Sequence, residues 1–186
     1  MKIGALTGVS LTMSTRKLVY GLGSSHGDDR AGWDVVCGLR EKLSREATNT
    51  GEIVLREIVD PLVVLEGEPA AHWVVIDAAR SGRVPGRVWR REWNREMSRE
   101  ARTWFASHRV PLGDVLQVAA SLGRIPPRVT LWGIEIRDDD CRAFGSMTER
   151  TKVATEQAVG RIARWLGAGR TIPSAMKAAG MGSQLP

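Results

Sequence analysis

The sequence predicts an α/β fold: a three-layer sandwich with a roughly five-stranded, mostly parallel sheet and helices on both faces. Three observations carry that reading. Trp73–Ile76 is apolar without alternation, as a central strand covered on both faces requires. Segments of helical periodicity separate the apolar runs. Asp29 and Asp77 each follow an apolar run, which places them at the carboxyl ends of strands, where open α/β sheets gather their ligands.

The elements follow in order. Leu18–Leu22 is a short apolar strand running into the turn Gly21 to Asp29. From Asp29 to Ser44, Val36, Leu39 and Leu43 recur at helical spacing, and Asp28 or Asp29 is placed to cap that helix. Ile53–Ile58 alternates as a strand does. Pro61 opens a short helical turn that Gly67 ends. Gly86–Trp93 follows a Pro-Gly turn and reads as a polar strand near an edge. Pro111 starts a helix with Leu112, Val115, Leu116 and Ala119 on one face, and Gly123 stops it. The strand Val129–Ile136 follows. Ser146 to Glu149 matches a capping box for a final helix with Thr155, Val159, Ile162 and Leu166 on one side. Residues 18–166 are expected to form one domain. A disordered extension (1–17) precedes it and a flexible tail (167–186) follows.

Composition bounds the function. Of 186 residues, 42% are hydrophobic and 26% charged, ordinary for a soluble globular chain. No apolar run approaches the ~18 residues of a membrane span. Cys37 and Cys141 have no CxxC spacing, which argues against a disulfide framework or a zinc site and fits a reducing cytoplasm. Cys37 is expected as a small buried hydrophobe, and carboxylates beside Cys141 disfavour its thiolate. The net charge of +6 suits an acidic partner. Arg and Trp interleave between Trp89 and Trp104, as in a base-stacking surface, but Glu92, Glu96 and Glu100 interleave too. That pattern reads as a self-neutralised exposed segment, with no nucleic-acid partner.

The turn after the first strand is not a dinucleotide fingerprint. Position 26 is His rather than Gly, and Asp28 and Asp29 would repel a pyrophosphate. No G-x-S-x-G elbow is present for a serine hydrolase. His72 precedes a buried strand and reads as structural, and His26 could support Asp29. Two carboxylates and the loop imidazole of His108, converging on one sheet edge, would bind a divalent metal or move protons.

These residues resemble the maturation endopeptidases of nickel–iron hydrogenases. The family's first turn, G-x-G-N…G-D-[DE]-G-x-G, is similar to Gly21-Leu22-Gly23-Ser24…Gly27-Asp28-Asp29-Arg30-Ala31-Gly32. Its [VI]-D-A run followed by Pro-Gly resembles Val75-Ile76-Asp77-Ala78 and Pro85-Gly86. Its S/T-H loop resembles Ser107-His108. The resemblance spans Leu18 to Leu166. It implies that Asp29, Asp77 and His108 form a site, both catalytic and metal-binding, that senses nickel in a hydrogenase large-subunit precursor before the C-terminal extension is removed. The nickel would arrive with the substrate, and zinc or cadmium could replace it in vitro. The resemblance further implies a cytoplasmic monomer with no membrane partner. The chain departs from the pattern at Ser24 in a turn one residue short, at Arg30 in place of glycine, and at Val59-Asp60-Pro61-Leu62 after the second strand. A metal-sensing assembly factor of the same fold without peptidase activity is the alternative.

Overall fold

The computed structural model describes residues 15–45, 52–105, 109–137, 140 and 146–168. Five strands form one sheet: β1 (Lys17–Leu22), β2 (Ile53–Ile58), β3 (His72–Ala79), β4 (Val88–Glu92) and β5 (Arg128–Glu135), in the order β2-β1-β3-β5-β4. All pairs are parallel except β4 with β5. The fold class read from the sequence therefore holds. β1 begins at Lys17, just inside the extension expected over 1–17, so that boundary moves.

Among the described residues, four helices cover the sheet: α1 (Ala31–Arg45), α2 (Ser98–Trp104), α3 (Leu112–Ser121) and α4 (Glu149–Ala168). α1 and α4 bury Val35, Val36, Leu39, Ala158, Ile162 and Leu166 against Val19, Val74, Ile76 and Ile134. On the opposite face, α2, α3 and a 3-10 turn at Pro61–Glu66 bury Val64, Ala101, Phe105, Leu112, Leu116 and Ala119 against Leu18, Tyr20, Val75 and Leu131. Successive side chains of a strand point to opposite faces, so each strand feeds both layers. The alternation through Val74, Val75 and Ile76 explains why the run lacks polar residues: every β3 residue is buried.

Several local expectations change. Cys37 is exposed on α1 rather than buried. It follows the inward pair Val35 and Val36, so the helical turn carries it to the outer side. Asp77 lies inside β3, which runs on to Ala79 because β5 pairs with it that far. α4 starts at Glu149, so Ser146 stands too early to cap it. The segment expected to be an exposed self-neutralised stretch contains α2, and Trp93 and Trp104 pack against the core. α4 extends to Ala168, past the expected domain end at 166. Residues 1–14, 169–186 and Cys141 lie outside the described residues. No helix among the described residues is long and apolar enough to cross a membrane.

Candidate functional site

The sheet order sets where a ligand can sit. From β1 the chain crosses to β2 on one side, and the later strands add on the other. The direction reverses between β1 and β3, and open α/β sheets bind ligands outside the strand ends at such a point. The β1–β3 ladder ends at the pair Gly21 and Ile76. Beyond it, Asp77 continues along β3 while β1 turns into a 3-10 turn at Gly27–Arg30 that packs against β3.

Glycines make that approach possible. A Cβ on Gly32, in the first turn of α1, would lie 2.1 Å from the Leu22 carbonyl oxygen and 2.5 Å from that of Ile76. One on Gly21 would lie 2.3 Å from the Gly32 oxygen, and one on Gly23 2.7 Å from the Asp29 oxygen. All four contacts are with backbone that cannot rotate away. The glycines seat α1 directly on the ends of β1 and β3.

Two of the three site residues expected from the sequence come to this point. Asp29 sits in the 3-10 turn ahead of the 15-residue α1, where the positive end of the helix favours an anion. It is 6% exposed and its Oδ1 is buried without a hydrogen-bond partner. Asp77 is 0% exposed. His108 lies outside the described residues. Of the described residues before and after it, the Trp104 carbonyl accepts the Arg80 N–H at 2.9 Å and Leu112 is fully buried. No group of three or more His, Cys, Asp or Glu among the described residues could hold a metal by itself. Hard oxygen donors whose hydrogen-bonding capacity is unfilled suit a divalent cation, so Asp29 fits the donor set a metal requires.

Neighbouring residues take roles the sequence reading missed or misplaced. Asp28 does not cap its own helix. Its carboxylate accepts the Thr148 N–H at 2.6 Å and the Thr148 and Thr151 hydroxyls at 2.7 and 2.8 Å, and so caps α4. Arg30 is exposed and pairs with Asp34 across one helical turn. Asp60 caps the second 3-10 turn by accepting the Leu62 N–H at 2.9 Å. His26 contacts Ser24, at 3.3 Å from its Nδ1.

Glu135, 1% exposed, was missed entirely. It accepts the N–H groups of Ser81 and Arg83, the Ser81 hydroxyl and the Trp89 indole N–H, and so fixes the loop that leaves β3. A lone acid within the apolar run Val129–Ile136 was the signal available. Gly133, two residues earlier, was a second: a Cβ there would lie 2.2 Å from the Trp89 ring.

The family model for HycI, hydrogenase maturation protease, matches residues 58–165, more than half of the chain. The chain belongs to the hydrogenase maturation protease family. It is therefore a protease, a hydrolase of peptide bonds, in hydrogenase maturation. Solved structures of family proteins share its fold. The hydrogenase maturating endopeptidase HybD from E. coli superposes with a TM-score of 0.66 at 20% identity, over 83% of this chain and 94% of that one. The [NiFe] hydrogenase maturation protease HybD from Thermococcus kodakarensis gives 0.61 at 20%, over 82% and 99%. The hydrogenase 2 maturation peptidase from Thaumarchaeota archaeon SCGC_AB-539-E09 gives 0.55 at 25%, over 82% and 98%. No curated protein matches the chain. The match covers residues 58–165, and the low identities fit a divergent branch of the family.

Proposed function

We propose that this protease removes the C-terminal extension of a nickel–iron hydrogenase large-subunit precursor and recognises the nickel already inserted in that substrate. Asp29 and Asp77 supply oxygen ligands to the incoming nickel, and His108 supplies a nitrogen. The observation that carries this reading is the pair of buried carboxylates at the switch point, with Asp29 Oδ1 left without a hydrogen-bond partner. A buried, unfilled anion is costly unless a cation joins it. The substrate-borne metal would offset that cost and draw the scissile segment to the strand ends. Water then adds to the polarised carbonyl, the C–N bond breaks, and the leaving amine takes a proton. The protein acts as a monomer in the cytoplasm, and zinc or cadmium can take the nickel's place in vitro.

The test is an electrophoretic assay of precursor against mature subunit, with and without nickel. Nickel-loaded precursor should be processed and nickel-free precursor left intact. Asp29→Asn and Asp77→Asn should each lower processing by about a hundredfold or more, with the fold retained, because Asn keeps the shape and loses the charge that balances the metal. Equal cleavage of nickel-free precursor would refute nickel sensing. No cleavage of the cognate loaded precursor would favour a non-proteolytic assembly factor.

A further inference from the structure

Arg83 stands on an aromatic support that the proposed metal site does not use. Its guanidinium carbon lies 4.8 Å from the ring centroid of Trp89 and 5.6 Å from that of Trp104. The two indoles meet edge to face at 5.3 Å. Arg83 Nη1 donates to the Ser81 hydroxyl oxygen. Ser81 in turn donates its hydroxyl to Glu135 Oε2 at 2.7 Å and its N–H to Oε1 at 2.6 Å. The Arg83 N–H reaches Oε1 at 3.0 Å, and the Trp89 indole N–H reaches Oε2 at 3.1 Å. Both oxygens of Glu135 are thus occupied by the loop and the indole. Glu135 holds the support and does not pair with the guanidinium.

The support faces the candidate site. Asp77 pairs with Gly133, and Gly133 pairs with Trp89. Residues paired across a sheet share a face, so Asp77, the bare Gly133 and Trp89 form one row. The contact of the Trp89 ring with Gly133 shows the indole lying over that gap. With neighbouring strands about 4.8 Å apart, Arg83 over the indole is within reach of a peptide of three or four residues extending from Asp77.

Among the described residues, Arg83 forms no ion pair, and its Nε and Nη2 donate to none of them. A half-buried cation without an anion is an incomplete arrangement. Contact with two indoles holds the guanidinium in place, and one nitrogen is already committed. What remains is a flat edge that matches a carboxylate with two parallel hydrogen bonds. We infer that Arg83 is a substrate-positioning residue that receives a carboxylate of the precursor peptide beside the scissile segment. Its place in catalysis rests on the function proposed above, whereas its capacity to bind a carboxylate does not.

Two measurements test this on the full chain. In the first, the 15N-labelled protein is titrated with glutarate and, separately, with uncharged glutaramide. Glutarate should shift the Trp89 indole N–H and the Arg83 Nε–H, and glutaramide should leave both in place. R83Q should abolish the Trp89 response while the rest of the spectrum stays unchanged. In the second, precursor processing by R83Q and R83K should show KM raised about tenfold or more with kcat within about threefold, because a positioning contact acts on binding. Lysine keeps the charge without the flat edge, so failure of R83K to restore KM separates geometry from charge. Equal shifts by both titrants, an R83Q spectrum that still responds to glutarate, or a loss confined to kcat would overturn the proposal. A normal glutarate response in a protein that ignores nickel would refute the metal reading and leave the Arg83 site standing.

Discussion

His72 shows how the same residue type serves structure at one end of a strand. It opens β3, at the end opposite Asp77, and is buried. Its Nε2 lies 2.7 Å from the Thr130 hydroxyl oxygen, and Thr130 gives its one proton to Glu92 at 2.9 Å. The imidazole must therefore donate from Nε2, which neutral His does with its other nitrogen unprotonated. Burial pushes its pKa down to about 4, with Arg128 and Lys17 adding to the effect and Glu92 opposing it. The unfolded value is about 6.5, so the folded state disfavours the proton. Stability is then fully present above about pH 6.5 and declines as pH falls towards 4, by up to ~1.4 kcal/mol per pH unit. Urea unfolding of the wild type and His72→Gln should diverge in pH dependence only across that window. Identical pH profiles would remove His72 as the cause. The structural reading of His72 was legible because an apolar run follows it directly. The exposure of Cys37 was not, since Val35, Val36 and Cys37 are consecutive and only packing decides which of three neighbours faces out.

Between elements, the strongest tie runs from the first turn to the last helix. Asp28 is fully buried and caps α4 from 120 residues away in sequence, at Thr148. Sequence spacing suggested instead that Asp28 or Asp29 would cap the adjacent helix and Ser146 the last one. Both were plausible locally, because Ser and Asp are favoured caps wherever they precede a helix. The outcome turned on α1 and α4 packing side by side, which brings the 3-10 turn to the start of α4. Asp28→Ala would leave the Thr148 N–H and two hydroxyls without their acceptor. A loss of about 2–3 kcal/mol is expected in denaturant unfolding, with earlier hydrogen exchange in the first turn of α4. A change below about 0.5 kcal/mol would show that water replaces the carboxylate without cost. α2 was missed for a related reason. Its few residues carry Arg99, Glu100 and Arg102 outward, and only Ala101 and the following Phe105 bury fully, too little for a periodic signal.

For the whole molecule, the basic balance and the Arg–Trp segment raised the question of a nucleic-acid partner. The aromatic faces are already engaged. Trp89 carries Arg83 and meets Trp104 and Phe105, while Arg90 lies over Trp132 and Trp165. Arg102 pairs with Asp114, and Arg95 donates to the Ala120 carbonyl. Bases would find few free rings to stack on. Fluorescence anisotropy with labelled single- and double-stranded oligonucleotides at physiological salt should show affinity no tighter than the ~10⁻⁴ M of weak non-specific binding. A micromolar complex with a steep salt dependence would contradict this. The sequence by itself determined the α/β class, four of the five strands closely, and the place of Asp29 in the turn after the first strand. These depend on local periodicity, turn residues and the family motifs, all of which are written within short stretches of chain. Only the tertiary structure decided that Asp28 holds α4, that Arg30 turns to Asp34, and that Glu135, Trp89 and Arg83 assemble beside Asp77. Those pairings join residues far apart in sequence, and strand order and helix packing, rather than spacing, bring them within bonding distance.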